Sequence, residues 1–117
     1  MHETALCEAL LAQVARVARA EDASRVTRVR IRVGPLAGVE PQLLARAYAL
    51  ARIGTVAESA PLDIEPADVR VACRDCGAES AATVQRLRCA ACGSDATRLL
   101  SGDELILEQV ELVTNLH

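Results

Sequence analysis

Two units of one design, Cys73-Arg74-Asp75-Cys76-Gly77 and Cys89-Ala90-Ala91-Cys92-Gly93, stand 12 residues apart, counted between Cys76 and Cys89. Two residues between cysteines let a tight turn aim both sulfurs at one point. The glycine that follows can take the positive φ that completes such a turn without a Cβ clash. Two turns facing each other make a tetrahedral cage of four thiolates, the ligand set of structural Zn²⁺. Two disulfides or an iron ion would use the same cysteines, but the spacing favours zinc. Four thiolates close the coordination shell and leave no position for water or substrate. The expected metal is therefore structural rather than catalytic, with ligands Cys73, Cys76, Cys89 and Cys92.

A second metal chemistry is available at the start of the chain, Met1-His2-Glu3. A bulky second residue blocks removal of Met1, which keeps the α-amine next to the His2 amide. Amine and amide close a five-membered chelate ring, and amide and imidazole Nδ1 close a six-membered one. The Glu3 amide and carboxylate lie within reach of the same ion. Square-planar nitrogen donation of this kind suits Ni²⁺ or Cu²⁺ rather than Zn²⁺. A solvated terminal histidine is the plain alternative.

The elements that must position these groups are legible from periodicity. Over residues 4–20, Leu6, Leu10, Val14 and Val17 form one stripe of an amphipathic helix, flanked by Cys7, Leu11 and Ala18. Thr4 is the expected N-cap. From Thr27 to Val33 the period becomes two, with Val29, Ile31 and Val33 on one face and Arg28, Arg30 and Arg32 on the other. In a second strand Asp63 and Glu65 alternate with Leu62 and Ile64. Cross-strand pairs would neutralise the arginine stripe, leaving it exposed and of little consequence for stability.

A turn-rich segment, Gly34 to Pro41, leads to a second helix with Pro41 as its first residue. Leu43, Leu44, Ala47, Tyr48, Leu50 and Ala51 are expected to face inward, and Gly54 to end the helix. Residues 104–113 return to strand character. Leu105 and Leu107 have one parity and Val110 and Leu112 the other, so a bulge near Glu108 or Gln109, or two successive cores, is expected.

The fold class that follows is α+β. A small sheet packs with two helices in a domain of residues 1–66 together with 103–117. A four-cysteine zinc ribbon, 67–102, is inserted into it. So small an insert has little core, and the metal must supply much of its folding free energy.

Composition narrows the function classes. Net charge is −3, and Tyr48 is the one aromatic among 117 residues. Neither an electrostatic field nor stacking platforms for nucleic acid are present. No basic leader and no apolar stretch long enough for a membrane span is found, so a cytoplasmic location and no membrane partner are expected. Cys7 then reads as a buried small apolar residue. No nucleophile–base pair suggests an enzyme, and His117 ends the chain.

Taken in order, these residues resemble the HypA/HybF family of hydrogenase nickel-incorporation proteins. The match runs through Met1-His2-Glu3, Ala5-Leu6-Cys7-Glu8, Val26-Thr27-Arg28-Val29 and the loop Gly34-Pro35-Leu36-Ala37-Gly38-Val39-Glu40-Pro41. It continues through Gly54-Thr55, Ala57-Glu58, both cysteine units and Gly102 followed, after one free position, by Glu104-Leu105. Two departures stand out: Arg46 replaces an aromatic usual in the second helix, and Ala90 replaces a frequent proline. The resemblance implies a nickel metallochaperone and not an enzyme. It would bind transported Ni²⁺ through Met1, His2 and Glu3, with Glu40 a further carboxylate by analogy, and hold structural Zn²⁺ in the ribbon. Implied partners are the maturation GTPase of the same system and the [NiFe]-hydrogenase large-subunit precursor. In some bacteria the family also serves urease maturation. The alternative is a zinc-ribbon interaction adaptor or nucleic-acid-binding module that carries no nickel.

Overall fold

The computed structural model describes residues 2–114; Met1, the His2 side chain and residues 115–117 lie outside the described residues. The elements are α1 (His2–Ala20), β1 (Ala23–Val33), α2 (Pro41–Ala51), β2 (Leu62–Pro66), β3 (Arg70–Cys73), β4 (Glu79–Ala81), β5 (Thr97–Ser101) and β6 (Leu105–Thr114). They make two three-stranded sheets, ordered β2-β1-β6 and β4-β3-β5. The chain separates into two compact units. One takes the residues up to Ile31, then Val39–Glu65 and the residues from Ile106 on; the other takes Arg32–Gly38 and Pro66–Leu105. The α+β class with a four-cysteine cluster is thus what the sequence leads one to expect.

In the first unit the helices pack on each other, and the core is aliphatic. Cys7, Leu10, Leu11, Val14 and Ala18 are buried from α1, Val26, Val29 and Ile31 from β1, and Leu44 and Tyr48 from α2. Each large aliphatic side chain so buried contributes about 1.5–3 kcal/mol. The buried line on α1 runs through 7, 11, 14 and 18, one step round from the expected stripe, and leaves Val17 exposed. Thr4 lies inside the helix and does not cap it, because helical geometry already begins at His2.

At α2, Glu40 is the N-cap, its carboxylate accepting from the Gln42 N–H at 3.0 Å, and Pro41 opens the helix as anticipated. Its inward face is narrower than the expected one. Leu44 and Tyr48 are buried, whereas Leu43 and Leu50 are 47% and 74% exposed. On this 11-residue helix the covered line is Leu44 and Tyr48, four residues apart, and Leu43 and Leu50 fall to its side. The Tyr48 hydroxyl and the Arg52 guanidinium both donate to the Ala60 carbonyl, at 2.9 and 3.0 Å, which fixes the chain leading into β2.

β1 starts earlier than its alternation suggested and changes phase, burying Val26 and then Val29 and Ile31. The inward valines and isoleucine follow the expected parity, but Leu62 and Ile64 on β2, an edge strand, are only half-buried. Of the three arginines Arg32 alone is exposed. Arg28 reaches Asp63 at 2.6 Å and Arg30 reaches Glu65 at 3.9 Å, and these pairs leave both arginines half-covered. β6 shows its phase change directly. Leu105, Leu107, Val110 and Leu112 are half-buried, with Glu108 and Gln109 both exposed between them.

The second unit is built on β3, antiparallel to both β4 and β5, with Val71 wholly buried. The segment 32–38 joins it through backbone bonds, Gly34 N–H to Glu104 O at 2.8 Å and Leu36 N–H to Gly102 O at 2.7 Å. A Cβ on Gly34 would lie 2.0 Å from the Gly102 oxygen. Both are backbone-anchored, so neither yields easily. Gly34→Ala is expected to destabilise this unit by on the order of 1–3 kcal/mol, seen as a lowered denaturation midpoint.

Glu104 closes the same turn, its carboxylate accepting from the Gly102 N–H at 2.7 Å. Its pKa is held below the ordinary 4.5, first by its own backbone N–H and that of Gly102, then by the charge of Arg32. A depressed folded-state pKa gives stability that is present above the ordinary value and lost as pH falls through the lower one. Thermal melts should therefore show wild type above Glu104→Gln at pH 6, the gap closing towards pH 3. An unchanged gap at both pH values would contradict this linkage.

Candidate metal centre

β3 delivers Cys73 at its end, where the chain turns back. Cys73 N–H bonds to Ala78 O at 2.8 Å and Gly77 N–H to Cys73 O at 3.1 Å. The second knuckle repeats the pattern, with Cys89 N–H to Ser94 O at 2.9 Å and Gly93 N–H to Cys89 O at 2.9 Å. Gly77 and Gly93 share a φ of 79°, the conformation for which glycine was expected at both places.

These turns bring four sulfurs together. The Sγ atoms of Cys73, Cys76, Cys89 and Cys92 all lie within 4.8 Å of one another. The Cys73–Cys92 and Cys76–Cys89 pairs are 3.5 and 3.6 Å apart. A tetrahedron with metal–sulfur bonds of about 2.3 Å has edges of about 3.8 Å. The cage fits a tetrahedral dication. Cys73 and Cys89 are buried, and Cys76 and Cys92 face solvent.

Backbone amides prepare the sulfurs for negative charge. Cys73 Sγ accepts from the N–H groups of Asp75 and Cys76, both at 3.4 Å. Cys89 Sγ accepts from Ala91 and Cys92 at 3.3 and 3.5 Å. The Cys92 N–H thus brings Cys89 down to about 6, aided by Ala91, and the Cys76 N–H lowers Cys73 in the same way. At Cys92 the Ser94 N–H acts to lower the pKa. The neighbouring sulfurs, Cys73 foremost, and burial outweigh it and push that thiol up to about 12. Cys76 is raised too, its Ala78 N–H outweighed by Cys89, burial and Cys73. Four sulfurs this close cannot all ionise alone, and a bound dication would replace the retained protons.

The other expected metal residues are less available to description. Met1 and the His2 side chain lie outside the described residues. Glu3 sits half-buried in the first turn of α1, close enough for its charge to raise the Cys7 thiol, after burial itself. Glu40 is engaged as the α2 cap. Sequence reasoning did not single out Asp75 and Ser94, whose side chains meet across the two knuckles at 2.5 Å. Among the described residues, no helix is long and apolar enough to cross a membrane.

Comparison with known proteins agrees with this geometry. Residues 1–112 match the HypA family, described as hydrogenase/urease nickel incorporation, metallochaperone. The hydrogenase maturation factor HypA of Nitrosospira multiformis is 45% identical over 114 residues, covering 97% of this chain and 99% of that protein. Its counterpart in Aquifex aeolicus is 39% identical over 112 residues, covering 96% and 97%. The solution structure of the Ni metallochaperone HypA from Helicobacter pylori superimposes with a TM-score of 0.77 at 25% identity, covering 98% of this chain and all of that one. The chain belongs to the HypA family of hydrogenase and urease nickel-incorporation metallochaperones.

Proposed function

We propose that this protein carries Ni²⁺ at its amino terminus, through the Met1 α-amine, the His2 amide and imidazole, and Glu3. It would hand the ion on during assembly of the [NiFe]-hydrogenase large subunit. The observation that carries this reading is the family match over residues 1–112, which includes Met1-His2-Glu3. The local structure is compatible with it. α1 begins at His2, and the first amides of a helix are not used by the helical ladder. Coordination there breaks no bond of that ladder. A site at a chain end also releases its ion more readily than a closed cage, as a carrier must.

In this reading Cys73, Cys76, Cys89 and Cys92 hold one structural Zn²⁺, and nickel belongs to the domain of residues 1–66 with 103–117. The partners are the maturation GTPase of the same system and the large-subunit precursor, with urease maturation proteins where that enzyme is made. The location is cytoplasmic, which keeps the thiols reduced. Nucleic acid is a poor ligand for this surface, because Arg28 and Arg30 are engaged by Asp63 and Glu65. The test is nickel titration of untagged protein beside His2→Ala: one equivalent bound by the first and none by the second.

A further inference from the structure

The side chains of Asp75 and Ser94 bridge the two cysteine knuckles at one edge of the sulfur cage. The Ser94 hydroxyl donates to Asp75 Oδ2 at 2.5 Å and accepts from the Ala96 N–H at 3.0 Å. The same two residues hold sulfurs with their backbones. The Asp75 N–H bonds to Cys73 Sγ at 3.4 Å, and the Ser94 carbonyl accepts from the Cys89 N–H at 2.9 Å, closing the knuckle that carries Cys92. Cys73 and Cys92 are the pair 3.5 Å apart. One side-chain bond therefore ties the amide that steadies the Cys73 sulfur to the residue that closes the Cys89–Cys92 knuckle.

We propose that the Asp75–Ser94 pair is a latch on the metal cage: it positions Cys73 and Cys92 and sets how slowly the bound zinc is lost. The proposal rests on the zinc reading above. Exchange of a closed four-thiolate centre begins when one ligand swings away and a competing ligand takes its place. Cys76 and Cys92 are the exposed ligands, where such exchange starts. Beside Cys89 another tie exists, the Ser80 hydroxyl accepting from the Ala90 N–H at 3.1 Å. Around Cys92 the tie is Ser94, and Ser94 is anchored on Asp75. The carboxylate itself works against the site electrostatically, since zinc with four thiolates carries a formal charge of about −2. An aspartate at this place is explained by the bond it accepts rather than by its charge.

That opposition makes the test sharp. Zinc transfer from the purified holoprotein to the chelator 4-(2-pyridylazo)resorcinol is followed at pH 7.5. Ser94→Ala and Asp75→Ala should each release zinc about tenfold faster or more, if the roughly 10–100-fold affinity loss typical on removing partners that orient metal ligands falls on the release step. The double variant should be no faster than the singles, and Ser94→Thr should keep the wild-type rate. Thr83→Ala, which removes a hydroxyl that accepts from the Arg86 N–H in the same unit, should leave the rate unchanged. Co²⁺-loaded Ser94→Ala should keep the absorption of a tetrahedral thiolate centre, because all four ligands remain. Slower release from Asp75→Ala would mean that charge dominates and would overturn the latch. So would wild-type rates in both alanine variants, or equal acceleration by Thr83→Ala. A wild-type protein purified without chelator and holding no zinc would overturn the zinc reading and the latch together. Zinc-filled wild type with unchanged variant rates would remove the latch alone.

Discussion

Cys73→Ser is expected to lose its zinc and to unfold the strands around the cage while the two helices persist. The asymmetry follows from what each unit buries. The first unit has Leu10, Leu11, Val14, Val26, Val29, Ile31, Leu44 and Tyr48 in its core, enough for a cooperative fold. Around the cage the buried apolar residues are Val33, Ala67, Val69 and Val71, with Cys73 and Cys89 themselves. At about 1.5–3 kcal/mol for each fully buried large aliphatic side chain, these few are modest beside the conformational entropy of ordering the residues of Arg32–Gly38 and Pro66–Leu105. Structural zinc in small domains binds with an apparent 10–16 kcal/mol, roughly, and that energy is folding energy. Losing one thiolate removes most of it. Elemental analysis should find zinc near one equivalent in wild type and near none in the variant. Helical circular dichroism should survive, while amides of β3 and β5 lose their protection from exchange. A variant that keeps its zinc, or one whose helix signal also vanishes, would contradict the separate cores.

Features that depend on short spacing were legible in the sequence, and features that depend on distant partners were not. The cage is local: each knuckle spans five residues and its glycine reports its own φ, so the four cysteines that cluster could be named in advance. Pro41 and the alternation of Val29, Ile31 and Val33 are local for the same reason. Burial of Leu43 and Leu50 was expected from the breadth of an apolar stripe. How much of a stripe is covered depends on the tertiary neighbours, and on α2 only Leu44 and Tyr48 are buried. Val17 and Thr4 failed likewise, because the register of α1 against its neighbours and its start at His2 are tertiary facts. Gly34 read only as a turn residue, since its partner Gly102 is distant in sequence. The Asp75–Ser94 contact was hidden for that reason too: nothing in either knuckle names the other.

Nickel binding should depend on a free Met1 amine and on His2, and not on the cysteines. If the ion is held by amine, amide and imidazole in one plane, each donor must be unprotonated when it binds. His2→Ala removes the imidazole and its six-membered ring, so one-equivalent nickel binding should disappear. Glu3→Gln should weaken binding less, because the Glu3 backbone nitrogen remains. Any segment fused ahead of Met1 converts the amine to an amide and should weaken the site, whereas a metal-free tag beyond His117 should not. Affinity should fall as pH drops through the imidazole and α-amine range, about 6.5 to 8, since protons then compete for the donors. The sign is the same for both groups. Zinc content should stay constant in all these variants, as the proposed zinc ligands are Cys73, Cys76, Cys89 and Cys92. The decisive measurement is calorimetric titration of zinc-filled protein with Ni²⁺. If His2→Ala binds one nickel as tightly as wild type, the amino terminus is not the carrier site. Histidine at position two would then be incidental, and a zinc-ribbon adaptor would describe this chain better.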